Sequence, residues 1–257
     1  MSILISGSLL SEENQLRLVT KKTLLKGYGS ELFKSIKYHI IVGETDFMVP
    51  HEADMVKCNL DALSYRPFPV LCVMGNHTKN YDTSDMKEID MGIGDTVYQI
   101  KDKPFVAYLK RGKVYNFDGY KCLVLGGAPS FRLSNQNPFI MWTEQEKSDL
   151  FHLLETDTAF DFVFSQVGPY QVNRRVYDLS KPDSERDEVF FFNDTINDKI
   201  QFSKWICSHY FSDGFYCDED TSRKNKKFYQ YLYETTRIID RKNGRAVYHR
   251  ENEEVTT

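Results

Sequence analysis

The chain of 257 residues carries 33 Lys and Arg against 37 Asp and Glu, a net charge of −4, and 41% of it is hydrophobic. That much apolar surface can offset conformational entropy on burial, which rules out disorder as the main state. The acidic balance argues against a general nucleic-acid coat and leaves room only for a local basic patch.

No apolar run approaches the ~18–20 residues that span a bilayer. The opening Met1-Ser2-Ile3-Leu4-Ile5-Ser6 lacks a basic segment and a long apolar one, so no signal peptide is expected. Ile3-Leu4-Ile5 reads as a short strand ending at Ser6-Gly7. Ser11-Glu12-Glu13 opens a helical stretch, with a capping serine and acidic first-turn residues. The helix is expected to break at Gly27-Tyr28-Gly29 and to run on to about Lys37. His39 to Val42 is a second strand, residues 50–63 a helix, and Val70 to Met74 a third strand ending at Gly75. Strands followed by helices in this order predict parallel pairing through crossovers.

The middle of the chain changes character. Thr96–Ile100, Phe105–Leu109, Val114–Phe117 and Lys121–Leu125 are closely spaced strands, with Asp118-Gly119 as a hairpin turn. Thr143-Glu144-Gln145-Glu146 is a capping box that opens a helix to about Glu155. Phe162-Val163-Phe164 is another strand, a helix is expected near 194–203, and Trp205-Ile206-Cys207 and Phe228 to Ile239 finish as strands. Cys58, Cys72, Cys122, Cys207 and Cys217 are odd in number and show no CxxC spacing, and three lie in apolar runs. Reduced, mostly buried thiols in a cytoplasmic protein are the expectation. The overall reading is one α/β domain over 1–239, with two mixed β-sheets packed face to face and flanked by helices, and a charged tail over 240–257.

In open α/β sheets, ligands bind outside the carboxyl ends of the strands. Those ends read Ser6-Gly7-Ser8-Leu9, Gly43-Glu44-Thr45-Asp46, Gly75-Asn76-His77, Ser165-Gln166-Val167-Gly168-Pro169 and Ser208-His209-Tyr210-Phe211. Taken in order, the set resembles the calcineurin-like metallophosphoesterase superfamily, especially its small bacterial and phage-type members. The family spells these loops Asp-x-His, Gly-Asp, Gly-Asn-His, a later His and Gly-His-x-His. The stretches 112–119, Gly126-Gly127-Ala128-Pro129-Ser130 and Trp142 to Glu146 add to the likeness, which spans about residues 1–239. The resemblance implies a four-layer sandwich and two-metal hydrolysis of phosphate esters. In such sites two divalent ions ~3.5–4 Å apart bind the phosphate, lower the pKa of a bridging water and stabilise the attacking and leaving oxygens.

Position by position, this chain departs from the pattern. The first-motif Asp and His fall on Gly7 and Leu9, and the bridging Asp falls on Glu44. Asn76 and the catalytic His77 survive, the next His becomes Gln166, His209 survives, and the final His becomes Phe211. The first ion would keep only Glu44, because Gly7, Leu9 and Phe211 offer no donor. The second would keep Glu44, Asn76, Gln166 and His209, a weakly charged set. At most one weakly bound Mn, Zn or Fe is implied, and no cofactor is expected. Leu9 and Phe211 are expected to fill the space of the lost ions, and His77 to be vestigial. Asp46 and Asp213 are conceivable substitute ligands, whereas His39, His51, His152 and His249 match no motif.

The leading functional reading is a catalytically inactive pseudo-phosphatase that binds a protein partner, a ligand or itself. Four chemically unlike losses, at Gly7, Leu9, Gln166 and Phe211, resemble drift after selection on catalysis ended. The alternatives are a residual single-metal phosphoesterase and a metal-free nucleotide- or phosphate-binding module using Arg132, Arg174 and Arg175. The basic run 223–227 reads as a solvated hairpin tip. Neither a membrane nor a nucleic-acid partner is expected.

Overall fold

The computed structural model describes residues 1–9, 19–45, 60–75, 86–127, 142–177, 188–209, 213–218, 226–233, 235–242 and 245–250. It is an α/β protein with two mixed sheets. The larger contains β1 (Ser2–Ser6), β2 (Ile36–Ile41), β3 (Val70–Val73), β4 (Met86–Ile89), β5 (Val97–Ile100), β6 (Val106–Leu109), β13 (Thr236–Lys242) and β14 (Arg245–Arg250). Its strand order is β14-β13-β1-β2-β3-β6-β5-β4. The smaller contains β7 (Lys113–Phe117), β8 (Tyr120–Leu125), β9 (Ala159–Ser165), β10 (Gln201–Cys207), β11 (Gly214–Asp218) and β12 (Lys227–Tyr231). Its order is β11-β12-β10-β9-β8-β7. Both sheets are parallel in the middle, through β1-β2-β3-β6 and β8-β9-β10-β12, and antiparallel at their margins.

Period-two alternation explains how the layers join. Ile3 and Ile5 of β1 enter a core shared with Phe162 and Phe164 of β9, while Leu4 turns to the other face and meets Leu24, Phe68 and Ile238. Tyr38 of β2 and Phe117 of β7 bring rings from the two sheets to 5.4 Å. The Tyr120 hydroxyl donates to the Asp240 carbonyl at 2.9 Å, a second tie between sheets. Burying each such large side chain contributes ~1.5–3 kcal/mol.

Several local signals act as their chemistry dictates. Asp118 and Gly119 take φ of 55° and 86°, the pair of left-handed conformations that a two-residue β7–β8 hairpin requires. Helix α1 (Lys21–Ser35) is capped by Thr20 and interrupted at Gly29, whose φ of 80° and ψ of 167° fall in the expected break. Helix α2 (Glu144–Thr156) opens on the Thr143/Glu146 capping box. The Glu146 carboxylate also takes two nitrogens of buried Arg111, Nε at 3.0 Å and Nη2 at 2.8 Å, so the cap anchors α2 to the end of β6.

Other expectations are revised. The helix expected near 194–203 is α4 (Glu188–Lys199), and β10 starts at Gln201. Its apolar run starts at Val189 and contributes Phe192 and Ile196 to the core, so the helix begins earlier than its polar second half suggests. Strands β4 and β11 and helix α3 (Tyr170–Tyr177) were not anticipated. Residues 240–242 and 245–250, read from sequence as part of a charged tail, are strand residues that pair across the β13–β14 hairpin. Lys227, placed by the sequence in a solvated tip, is 2% exposed, and its ammonium donates to the Asn197 carbonyl. Cys72, Cys122 and Cys207 are buried free thiols and Cys217 is half-buried.

Candidate functional site

The carboxyl ends of the parallel strands meet because short backbone bonds carry the pairing past the last strand residues. Val42 donates to the Ser6 carbonyl at 3.0 Å, and Leu9 to the Glu44 carbonyl at 2.8 Å. In the smaller sheet, Ser208 donates to the Gln166 carbonyl and Leu232 to the Cys207 carbonyl, both at 2.9 Å. These loops bring Glu44 from one sheet against Gln166 and His209 from the other.

Glu44 is 7% exposed and Gln166 is fully buried. The Gln166 amide nitrogen donates to Glu44 Oε1 at 2.8 Å, and His209 Nδ1 lies 3.6 Å from the same oxygen. An ionised carboxylate only accepts hydrogen bonds, so the amide must turn its NH2 to Glu44. Gly75 makes this reach possible. A Cβ at that position would stand 2.6 Å from the Gln166 amide oxygen, too close for any other residue without displacing the glutamine. His209 follows β10 with a φ of 77°, a left-handed conformation uncommon for a residue other than glycine.

On the β1 side the partners are hydroxyls and backbone. The Glu44 amide donates to Ser8 Oγ at 3.1 Å, and Ser8 Oγ lies 3.2 Å from Ser208 Oγ. Ser208 in turn donates to the Leu232 carbonyl at 2.6 Å. Leu9 does not turn toward Glu44. It packs with Ile41, Val70, Cys72, Met74 and Tyr108 in the cluster on the outer face of the larger sheet. Next to it, Thr45 Oγ1 bonds the Tyr108 hydroxyl at 2.9 Å. Burial pushes the neighbouring Cys72 thiol up from its ordinary value, which keeps it neutral and unreactive.

The structure thus brings together Glu44, Gln166 and His209 and sets Gly7 and Leu9 beside them. Asn76, His77, Phe211, Arg132, Asp46 and His51 lie outside the described residues. Asp213 serves a turn: its carboxylate accepts from the Tyr233 amide at 3.0 Å and from Thr235 Oγ1 at 2.6 Å. Arg174 and Arg175 are exposed on α3. The first lies over the Tyr170 ring, and the second over the Tyr216 ring while also bonding its hydroxyl. Arg175 thereby lines a groove of about 690 Å³ between α3, α4 and β11, with Val172, Asp194, Tyr216, Asp218 and Tyr229. Burial pushes the Asp194 carboxyl there up to about 6. His39 is buried with Nε2 on Ser6 Oγ at 2.9 Å, and His152 pairs with Glu155 on the surface.

Ser8 and Ser208 were missed from sequence, although each directly adjoins a motif position, Ser8 beside Gly7 and Leu9 and Ser208 beside His209. Among the described residues no three His, Cys, Asp or Glu side chains are grouped so as to hold a metal. No described helix is long and apolar enough to cross a membrane. No family model matches the chain, and no curated protein matches it at a significant level.

Proposed function

We propose that the chain is a degenerate metallophosphoesterase-like protein, a four-layer sandwich that has lost two-metal hydrolysis and acts by binding a partner or ligand. The observation that carries this reading is the 2.8 Å bond from the Gln166 amide to Glu44. In the resembling family the carboxylate at the position of Glu44 bridges two ions. In this chain the same oxygen meets an NH2 donor from the position where the family has an imidazole ligand. An amide turned this way presents hydrogens, and hydrogens repel a cation. Gly7 brings no donor at all, and Leu9 turns its side chain into the outer cluster. The described residues therefore do not fit a two-ion centre. Among the described residues one carboxylate and one imidazole remain, too little charge to hold a divalent ion tightly.

The α/β architecture with two mixed sheets agrees with the resemblance, but fold alone implies no activity. The reading rests on the site. It is tested with the purified full chain on an aryl phosphomonoester and an aryl phosphodiester, with millimolar Mn or Zn and with Glu44→Gln as control. The expected result is no turnover above that control. Hydrolysis that needs added metal and disappears in both Glu44→Gln and His209→Ala would overturn the reading and favour a single-metal phosphoesterase.

A further inference from the structure

The space beside Glu44 on the β1 side is bounded by backbone, and this has a consequence beyond the loss of ligands. A Cβ on Gly7 would lie 2.1 Å from the Leu232 carbonyl oxygen and 2.6 Å from its carbon. Contacts under about 3 Å are inside van der Waals reach, and the obstacle is main chain rather than a side chain that can rotate away. The obstructing carbonyl is also held. It accepts the Ser208 hydroxyl at 2.6 Å, and the Leu232 amide donates to Cys207 at 2.9 Å. A second close approach lies next to it, where a Cβ on Gly43 would stand 2.2 Å from the Ser8 amide nitrogen. At position 9, Leu9 is 2% exposed and belongs to the outer cluster, and its amide is fixed to Glu44 O at 2.8 Å. A side chain there follows the Leu9 direction, away from Glu44.

We infer that β1, β2, β10 and β12 have closed into a backbone seam at this locus, so that restoring an aspartate at position 7 and a histidine at position 9 would not rebuild a metal site. The Ser8–Ser208–Leu232 chain of hydrogen bonds is the lock of that seam. The former ligand loop has become a structural joint between the two sheets, and the loss of donors is fixed in the main chain rather than in side-chain identity. This rests on the reading that positions 7 and 9 correspond to ligand-bearing positions.

The test uses the full chain carrying Gly7→Asp and Leu9→His together, followed by circular dichroism, thermal melting and calorimetric titration with Mn. The expected outcome is a Tm lower than wild type by ~10 °C or more, with millimolar Mn giving no recovery. A folded double variant that binds Mn at micromolar concentration, or whose Tm Mn restores, overturns the inference. If wild type binds no metal in the same titration, the functional reading survives that result, so the two failures are distinguishable. Because the double variant can fail to fold for other reasons, Gly7→Ala supplies a second measurement, adding one carbon against the carbonyl. Its Tm is expected to fall by ~5 °C or more, and by less when Ser208→Ala has already released Leu232. An unchanged Tm for Gly7→Ala, or strictly additive losses in the pair, contradicts the seam.

Discussion

Glu44 meets two different kinds of surface. Toward β1 it meets main chain and hydroxyls: Leu9 N, Ser8 Oγ and, behind them, the Leu232 carbonyl packed against Gly7. Toward β9 and β10 it meets side chains, the Gln166 amide and the His209 ring. The first side is closed by main chain, and the second presents a side-chain donor to the carboxylate. Side-chain exchange is reversible by substitution, whereas closure is not. The side bordered by Gln166 and His209 is therefore the one whose contacts with Glu44 a substitution can change.

Substitutions on each side break or sharpen that contrast. Gln166→Glu should have the largest effect, placing a second buried carboxylate about where the amide sits 2.8 Å from Glu44. Two like charges there cannot both ionise cheaply, so urea unfolding should show a loss of about 3 kcal/mol at neutral pH, shrinking as the solution is acidified. Gln166→Leu should cost less, about 1–3 kcal/mol by the same measurement, because it removes one donor from a buried carboxylate. If Gln166→Leu left stability unchanged, the amide would not be holding Glu44. Ser8→Ala, on the closed side, should cost about 1 kcal/mol, the net worth of an ordinary buried hydrogen bond.

The last expectation is a pH effect and involves a second histidine. Burial, with the Arg66 charge beside it, holds the His39 ring well below its usual value of 6.5. The folded state thus keeps His39 neutral where the unfolded chain is already protonated. Stability from this group is complete above pH 6.5 and is lost as pH falls below it, down to the folded-state value. His39→Phe should flatten that part of the stability–pH curve in chemical unfolding. Asp194 acts with the opposite sign. Its carboxyl is raised to about 6 by burial, so its contribution falls as pH rises from the unfolded value of 3.8 to that point. An acid limb identical in His39→Phe and wild type would remove the histidine from the account.

Much of this was legible in the chain itself. The strands around 3–5, 39–41, 70–73 and 162–164 are apolar runs that only a covered sheet can hide, and the Asp118-Gly119 turn and the Thr143 capping box announce their own geometry. The loops after those strands were legible for the same reason, since the strand ends locate them. Strands β4 and β11 were not, because Met-Lys-Glu-Ile and Gly-Phe-Tyr-Cys-Asp carry too little burial to stand out. β14 reads as charged tail until its pairing with β13 is seen. In the site, the family resemblance pointed to Glu44, Gln166 and His209 but could not show that the glutamine acts as a donor to the glutamate. Nor could it show why position 7 holds glycine, since the reason is a carbonyl 225 residues further on, at Leu232. Leu9 was expected to fill the space of the lost ions, but its neighbours place it in the outer cluster.

The central claim is that protein groups, not metal ions, satisfy Glu44. The most direct measurement is elemental analysis of the purified full chain followed by calorimetric titration with Mn and Zn. The account expects no co-purified metal and no binding below millimolar concentration. Near-stoichiometric metal, or micromolar binding lost in Glu44→Gln, would contradict it.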